Sequence, residues 1–386
     1  METQTPVKPL RPFIFSTIIV LIFFGFLETV LRFSGFQPTI RFKKYDFPAW
    51  MEELDPLVLA KYQGFVVERG FVNEDAYAYK PDLRYGYLLK PNLDLTVSNY
   101  SSTVFVDKLP PWRIESDSQG NRISKRGAVN PVGESMAIHV LGDSSSFGWG
   151  VDYEDSYPQQ LAKILNDSPS LLKVIVKNHS TPGFTSFQGR LLLEDKVKIK
   201  KGDIVLVSFG FNDSYSSRNS DRSRFEARNS TAGKLIWALN RLLIFKGLRT
   251  LIHNLPDLKT SKTKITRVSL KEYQENLGII FKTILNKKGK PLFLNICNGE
   301  KYRDAAEKTA KVLNIPFFNI PEEFKQHLSQ AHTIYPDKFV DYFEAYGEMM
   351  EKEPRLAFLF PDYCHPNATG HRLIAETLYK ESRILK

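Results

Sequence analysis

Four short stretches of the chain carry the residue types that acyl transfer requires. Leu141-Gly142-Asp143-Ser144-Ser145-Ser146-Phe147-Gly148 sets a serine directly after an apolar run and before a glycine-containing turn, which presents a hydroxyl at the end of a strand. Asn178-His179-Ser180-Thr181-Pro182-Gly183 ends in a glycine whose backbone can approach a ligand and offer an unobstructed N–H. Ser208-Phe209-Gly210-Phe211-Asn212-Asp213 supplies a side-chain amide. In Pro361-Asp362-Tyr363-Cys364-His365-Pro366-Asn367 a carboxylate precedes an imidazole by three residues, so one carboxylate oxygen can hold the ring's Nδ1–H while Nε2 faces the serine. Each stretch alone reads as a polar loop. Together they supply a nucleophile, oxyanion donors, a general base and an orienting acid.

These groups converge only if the right elements carry them. From Met136 onward, apolar strand runs (Ala137 to Leu141, Val174 to Val176, Ile204 to Phe209, Leu292 to Ile296, Phe317 to Ile320) alternate with helical stretches. The helices fall at about Tyr157 to Leu165, Ser186 to Ile199, Leu270 to Leu285, Arg303 to Val312 and Ala368 to Ile384. Five strands separated by helices predict a parallel sheet covered on both faces, a three-layer α/β/α domain. In such sheets ligands bind at the carboxyl ends of the strands, where the four loops fall.

The chain resembles the SGNH hydrolase superfamily, the GDSL-like lipases and esterases, whose four blocks centre on Ser, Gly, Asn and His. They map onto Ser144, Gly183, Asn212 and His365, with Asp362 three positions before the histidine, and the resemblance covers about residues 136–386. Gly142-Asp143-Ser144-x-x-Phe147-Gly148-x-Gly150-Val151, followed by Tyr157-Pro158 and Leu161, looks like the membrane-anchored bacterial branch. Tyr85 to Asn92 and Asp117 to Arg122 resemble its lead-in segments, while Ser145 stands where the family name has Leu, a variable position in that branch.

The resemblance implies an SGNH/flavodoxin-like fold. It also implies a catalytic set of Ser144, Asp362 and His365, with an oxyanion held by the N–H groups of Ser144 and Gly183 and the Asn212 amide. The expected activity is serine-dependent ester hydrolysis, of carboxylesterase or deacetylase type, on an acyl ester of an envelope glycan or lipid. Two alternatives stay open: O-acyl transfer to a cell-envelope polysaccharide, with a partner protein delivering the acyl group, and a non-catalytic glycan-binding member of the fold. No cofactor is expected. Nor is a metal, because His179, His365 and His371 lack a compact ligand set. His371 reads as a packing histidine and Asp213 as an acceptor for loop N–H groups. A Cys364 nucleophile would leave Ser144 and the oxyanion residues unexplained.

At 386 residues, 42% apolar and 13% aromatic, the chain can bury a sizeable core. Its two cysteines cannot form a disulfide framework, and they leave the redox compartment open. Cys297 and Cys364 fall at the same sheet edge, where a disulfide and two free thiols are both possible. Residues Phe13 to Leu27 carry no charge, and the apolar stretch continues to Arg32, close to the roughly 20 residues that span a bilayer. Lys8 and Arg11 before it, and the lack of a small-x-small cleavage site after it, favour an uncleaved signal anchor over a removed signal peptide or a buried helix. Arg32, Arg41, Lys43 and Lys44 beyond it obscure orientation by charge. The resemblance places the catalytic domain outside the cytoplasm. The expected organisation is an anchor at 1–34, a β-rich extension at 35–135 and the catalytic domain at 136–386.

The net charge of +10 is concentrated. Between Phe211 and Val268 lies an insertion with twelve basic and four acidic residues, a net of +8. Within it, Lys234 to Leu255 has the period of one amphipathic helix. Such a helix suits an anionic bilayer surface, a lid over the substrate, or packing on the domain with a solvated basic face. Nucleic acid is not implied, since no reading motif accompanies the charge.

Overall fold

The computed structural model describes residues 10–36, 78–97, 109, 111–125, 135–167, 173–254 and 265–380. Along the chain come helix α1 (Leu10–Phe33) and strands β1 (Tyr79–Asp82), β2 (Gly86–Leu89), β3 (Asp94–Val97), β4 (Trp112–Ser116), β5 (Arg122–Ile123) and β6 (Ser135–Gly142). Then follow α2 (Ser144–Phe147), α3 (Tyr157–Asp167), β7 (Lys173–Asn178), α4 (Ser186–Asp195), β8 (Ile204–Ser208), α5 (Phe211–Ser214), β9 (Ser216–Ser217) and α6 (Asp221–Asn229). The insertion adds α7 (Thr231–Leu239), α8 (Leu243–Asn254) and β10 (Ile265–Thr266). The remainder is α9 (Leu270–Asn286), β11 (Lys290–Asn295), α10 (Glu300–Val312), β12 (Phe317–Asn319), α11 (Ile320–Gln326), α12 (Ala331–Ile334), α13 (Pro336–Tyr346), α14 (Glu348–Lys352) and α15 (Ala368–Lys380).

Two compact units result, one from the segments Met1–Asp46 and Ala227–Ser261, the other from Phe47–Glu226 and Lys262–Lys386. The larger unit holds an eight-stranded sheet in the order β12-β11-β8-β6-β7-β5-β4-β3. Its first five strands are parallel, with β6 between β7 (Ser135 opposite Lys173) and β8 (Ile138 opposite Ile204). These are the five expected strands. The sheet then turns antiparallel through β5, β4 and β3, so part of the stretch expected as a separate extension completes the same sheet. The run Thr103 to Val106, Leu255 and the residues after Lys380 lie outside the described residues.

Alternate residues of the parallel strands enter two separate cores. Ile204 and Leu206 of β8 join Leu161 of α3 and Leu373, Ile374 and Leu378 of α15 on one face. Val205 and Val207 join Leu191 of α4 and Leu277, Ile280 and Phe281 of α9 on the other. Burial of each such side chain contributes about 1.5–3 kcal/mol, and with both faces of the sheet covered the strands hold their carboxyl ends in fixed positions. The helices start where the sequence supplies caps: the Ser269 side chain accepts from the Glu272 N–H, and Thr185 with Gln188 forms a capping box.

In the smaller unit, Lys234 to Leu255 is not one helix. It breaks after α7 and restarts as α8, because side chains of α1 take the backbone groups at the junction: Arg32 Nη2 donates to the Arg241 carbonyl at 2.9 Å, and the Glu28 carboxylate accepts from the N–H groups of Leu243 and Ile244. α1 is long and apolar enough to cross a membrane, and none of its span Ile14–Phe33 is buried within the protein.

Candidate active site

The central strand β6 runs out at Gly142, and Asp143 caps the one-turn helix α2 by accepting from the Ser145 N–H at 3.0 Å. This turn presents Ser144 at the carboxyl edge. It is fastened from below by Arg122, whose side chain is fully buried and whose guanidinium donates to the carbonyls of Phe147, Gly148 (2.6 Å) and Val151 (2.6 Å). The guanidinium carbon stands 4.4 Å from the Phe147 ring centre, and no carboxylate bonds to it among the described residues, so burial lowers its pKa to about 10. Gly148 has φ of +81°, and a Cβ there would lie 2.8 Å from Arg122 Nη1; a side chain would be strained and would displace the arginine.

The second loop is stitched to the end of β6. The N–H of His179 donates to the Val140 carbonyl and that of Thr181 to the Gly142 carbonyl, at 2.9 and 3.1 Å. Asn178 Nδ2 meets the Ser146 carbonyl at 3.0 Å. Gly183 follows with φ of +78°, and a Cβ would lie 2.5 Å from the Tyr87 hydroxyl, which itself donates to the Pro182 carbonyl at 2.7 Å. The Gly183 carbonyl accepts from Arg267 Nη1 at 2.8 Å, and Arg267 also pairs with Asp221 at 2.8 Å.

The third loop places Asn212 in α5, its Nδ2 donating to Asp143 Oδ2 at 3.2 Å. The adjacent Asp213 is fully buried and accepts from the N–H of Ser186 at 3.1 Å and from its hydroxyl; burial pushes its pKa up to about 7. The sequence suggests an acceptor for loop N–H groups; the Asp213 carboxylate instead takes the first N–H of α4.

The fourth loop turns through Tyr363, at φ of +53°. The turn lets Asp362 Oδ1 accept from the N–H groups of both Cys364 and His365 at 3.0 Å, leaving Oδ2 for His365 Nδ1 at 2.6 Å. His365 Nε2 then lies 2.6 Å from Ser144 Oγ. Asn367 Oδ1 accepts from the Gly370 N–H and so starts α15. Burial disfavours a charged His365, but the charge and hydrogen bond of Asp362 outweigh it, with Asp143 adding, so its pKa is raised. Asp143 in turn is pushed up to about 6 by burial.

Cys297, beyond β11, and Cys364 form a disulfide that closes 67 residues of chain and ties the His365 loop to the neighbouring strand. Ser145 Oγ lies within 4.0 Å of both sulfurs. Of the other histidines, His371 is fully buried against the Tyr157 ring. His179 stacks on His139 in a chain that runs from Asn121 to Asp203. Among the described residues no cluster of three or more His, Cys, Asp or Glu side chains is arranged to hold a metal ion.

Sequence reasoning misses Arg122 and Arg267, which act on main-chain carbonyls, and Asp143 as a second buried carboxylate beside the histidine. Only Asp143 leaves a signal, as the polar residue before a one-turn helix.

A model of the GDSL-like lipase/acylhydrolase family matches residues 140–373. The chain belongs to the GDSL-like lipase/acylhydrolase family. This GDSL-like chain is similar to a protein described as a GDSL-like lipase from Parabacteroides merdae (14% identity, TM-score 0.40, covering 66% of this chain and 98% of that one). It is also similar to the esterase EstA from Pseudoalteromonas sp. (17% identity, TM-score 0.36, 64% and 96%). A third similar structure is a catalytic mutant of the acetylxylan esterase Axe2 from Geobacillus stearothermophilus (18% identity, TM-score 0.38, 66% and 95%). No curated protein matches the chain. Membership in the GDSL-like family supports ester hydrolase activity.

Proposed function

We propose that the protein is a serine esterase whose triad is Ser144, His365 and Asp362, working through an acyl-enzyme on an acyl ester of an envelope glycan or lipid. The observation that carries this reading is the unbroken relay of 2.6 Å contacts from Ser144 Oγ to His365 Nε2 and from His365 Nδ1 to Asp362 Oδ2. His365 takes the hydroxyl proton as Ser144 Oγ bonds to the ester carbonyl carbon, and Asp362 fixes the tautomer and stabilises the imidazolium. The oxyanion is held by the N–H groups of Ser144 and Gly183 and by Asn212 Nδ2, each donor worth about 3 kcal/mol. Collapse breaks the bond to the leaving alcohol, which receives the proton from Nε2. Water, deprotonated by His365, then attacks the acyl-enzyme, releasing the acid and restoring Ser144.

α1 anchors the chain in this reading, with the larger unit on the extracytoplasmic side. The Cys297–Cys364 disulfide supports that side, since such bonds persist in oxidising compartments. The test is turnover of a short-chain p-nitrophenyl ester by the full chain in detergent, with fluorophosphonate labelling. Ser144→Ala is expected to abolish labelling and reduce turnover at least about a thousandfold; unchanged turnover overturns the mechanism. Acylated glycans and lipids then serve to find the natural ester.

A further inference from the structure

We infer that α7 and α8 lie in the lipid–water boundary of an anionic bilayer, locked to α1 by Glu28 as one membrane-embedded unit. The inference rests on the reading of α1 as a retained anchor, and it assigns the insertion a lipid contact that this reading does not require.

Three observations within the smaller unit carry it. The first is the lock. Glu28 Oε1 accepts from the Leu243 N–H at 3.0 Å and Oε2 from the Ile244 N–H at 3.1 Å, satisfying two of the donors that a helix start leaves without intrahelical partners. Glu28 is also paired with Arg32 at 2.6 Å, and Arg32 reaches the Arg241 carbonyl. The Phe36 ring packs against Gly247, where a Cβ would lie 3.4 Å away. A carboxylate in an apolar membrane helix is costly unless paired, and here its partners are the charge of Arg32 and the start of α8. A cleaved α1 would strip α8 of this cap.

The second is depth. Glu28 stands five residues before Phe33, where the apolar span ends, which at 1.5 Å per residue is about 7.5 Å. Interfacial helices bury their apolar faces about 5–10 Å into the headgroup and acyl boundary. The lock therefore holds the start of α8 at the level where such a helix rests.

The third is the surface of α7 and α8. Leu248, Leu251 and Ile252 are 54, 68 and 60% exposed and share one stripe of α8 at helical spacing, and on α7 Leu235 and Ile236 are exposed as well. Lys246 and Arg249 fall away from that stripe at 100° per residue. Residues 227–261 hold six basic side chains and one acidic, which suits an anionic lipid surface. The uncovered stripe belongs to the same unit as α1, none of whose apolar span is buried and most of whose large apolar side chains are exposed.

The test uses the full chain in vesicles of phosphatidylglycerol and phosphatidylethanolamine that carry nitroxide lipids. An environment-sensitive fluorophore is attached singly at Leu251→Cys, Lys246→Cys or Ile19→Cys, the native cysteines being joined in the disulfide. Quenching by the shallow nitroxide is expected to be roughly threefold stronger at position 251 than at 246, with position 19 quenched by the deep nitroxide. Glu28→Ala is expected to remove the quenching at 251 and leave that at 19. Equal, weak quenching at 251 and 246 with position 19 still quenched overturns the docking alone, as does a position 251 shielded from both water and lipid by a partner protein. Loss of quenching at 19 overturns the anchor reading and the docking with it.

Discussion

Arg267 donates through Nη1 to the carbonyl oxygen of Gly183 at 2.8 Å, so a residue that closes the insertion braces the turn expected to offer an oxyanion donor. Asp221 and Gln188 hold the same guanidinium, at 2.8 and 3.2 Å. Arg267→Met is expected to lower kcat/KM for a p-nitrophenyl ester about 10- to 100-fold while the chain stays folded, because a donor displaced by about 1 Å loses most of its effect on the transition state. A variant with unchanged kinetics would show that Gly183 holds its position unaided.

The pH profile follows from His365. In the proposed mechanism it must be neutral to accept the serine proton, and its pKa is raised, so the acid limb of kcat/KM is expected above pH 6.5. Asp362→Asn removes the main cause of that rise. The limb then falls below its wild-type position, and kcat drops about 10⁴-fold at pH 8.

Asp143 is expected to affect both activity and stability. Its carboxyl is held at about 6 in the fold, against about 4 in an unfolded chain. Between those values the folded state binds more protons, so stability from this group falls as pH rises from about 4 to about 6 and is lowest above that window. Asp143→Asn should flatten this slope in thermal unfolding across pH 4–8. It should also move the acid limb to lower pH by removing a charge that favours protonated His365, and lower kcat about tenfold through the lost Asn212 contact.

Arg122→Met strands the carbonyls of Phe147, Gly148 and Val151 in a dry interior. The expected cost in urea unfolding is roughly 3 kcal/mol or more, with Arg122→Lys in between, since an ammonium cannot reproduce the planar fork. A cost below about 1 kcal/mol would remove Arg122 from its place under the nucleophile.

Replacing Cys297 and Cys364 with alanine opens a 67-residue loop. Stability is expected to fall by about 2–4 kcal/mol, and reductant should lower the wild-type Tm without changing that of the double variant.

What the sequence discloses and what it hides divide along physical lines. The parallel strands are legible because a strand buried on both faces reads as a short apolar run, and the polar residues that end each run are where Ser144, Gly183 and Asn212 fall. β3 to β5 look like a separate module because polar and apolar residues alternate along β3 and β4 in the sequence, while the pairing that joins them to the sheet, Arg122 opposite Asn178, links positions 56 residues apart. The break between α7 and α8 is invisible in the hydrophobic period because Glu28 and Arg32 impose it from α1. Helices α11, α12 and α14 escape notice because each is only four to seven residues long, too short to show a helical period. Arg122 and Arg267 are hidden for a simpler reason: their partners are backbone oxygens, which every residue carries.

Ser144 and His365 are separated by 221 residues, and this spacing sets an order of events during synthesis. At about 5–20 residues per second Ser144 leaves the ribosome roughly ten to forty seconds before His365. For that interval every nascent chain holds Ser144 without the imidazole proposed to activate it. Under the proposed mechanism, premature termination anywhere between the two yields an inert product.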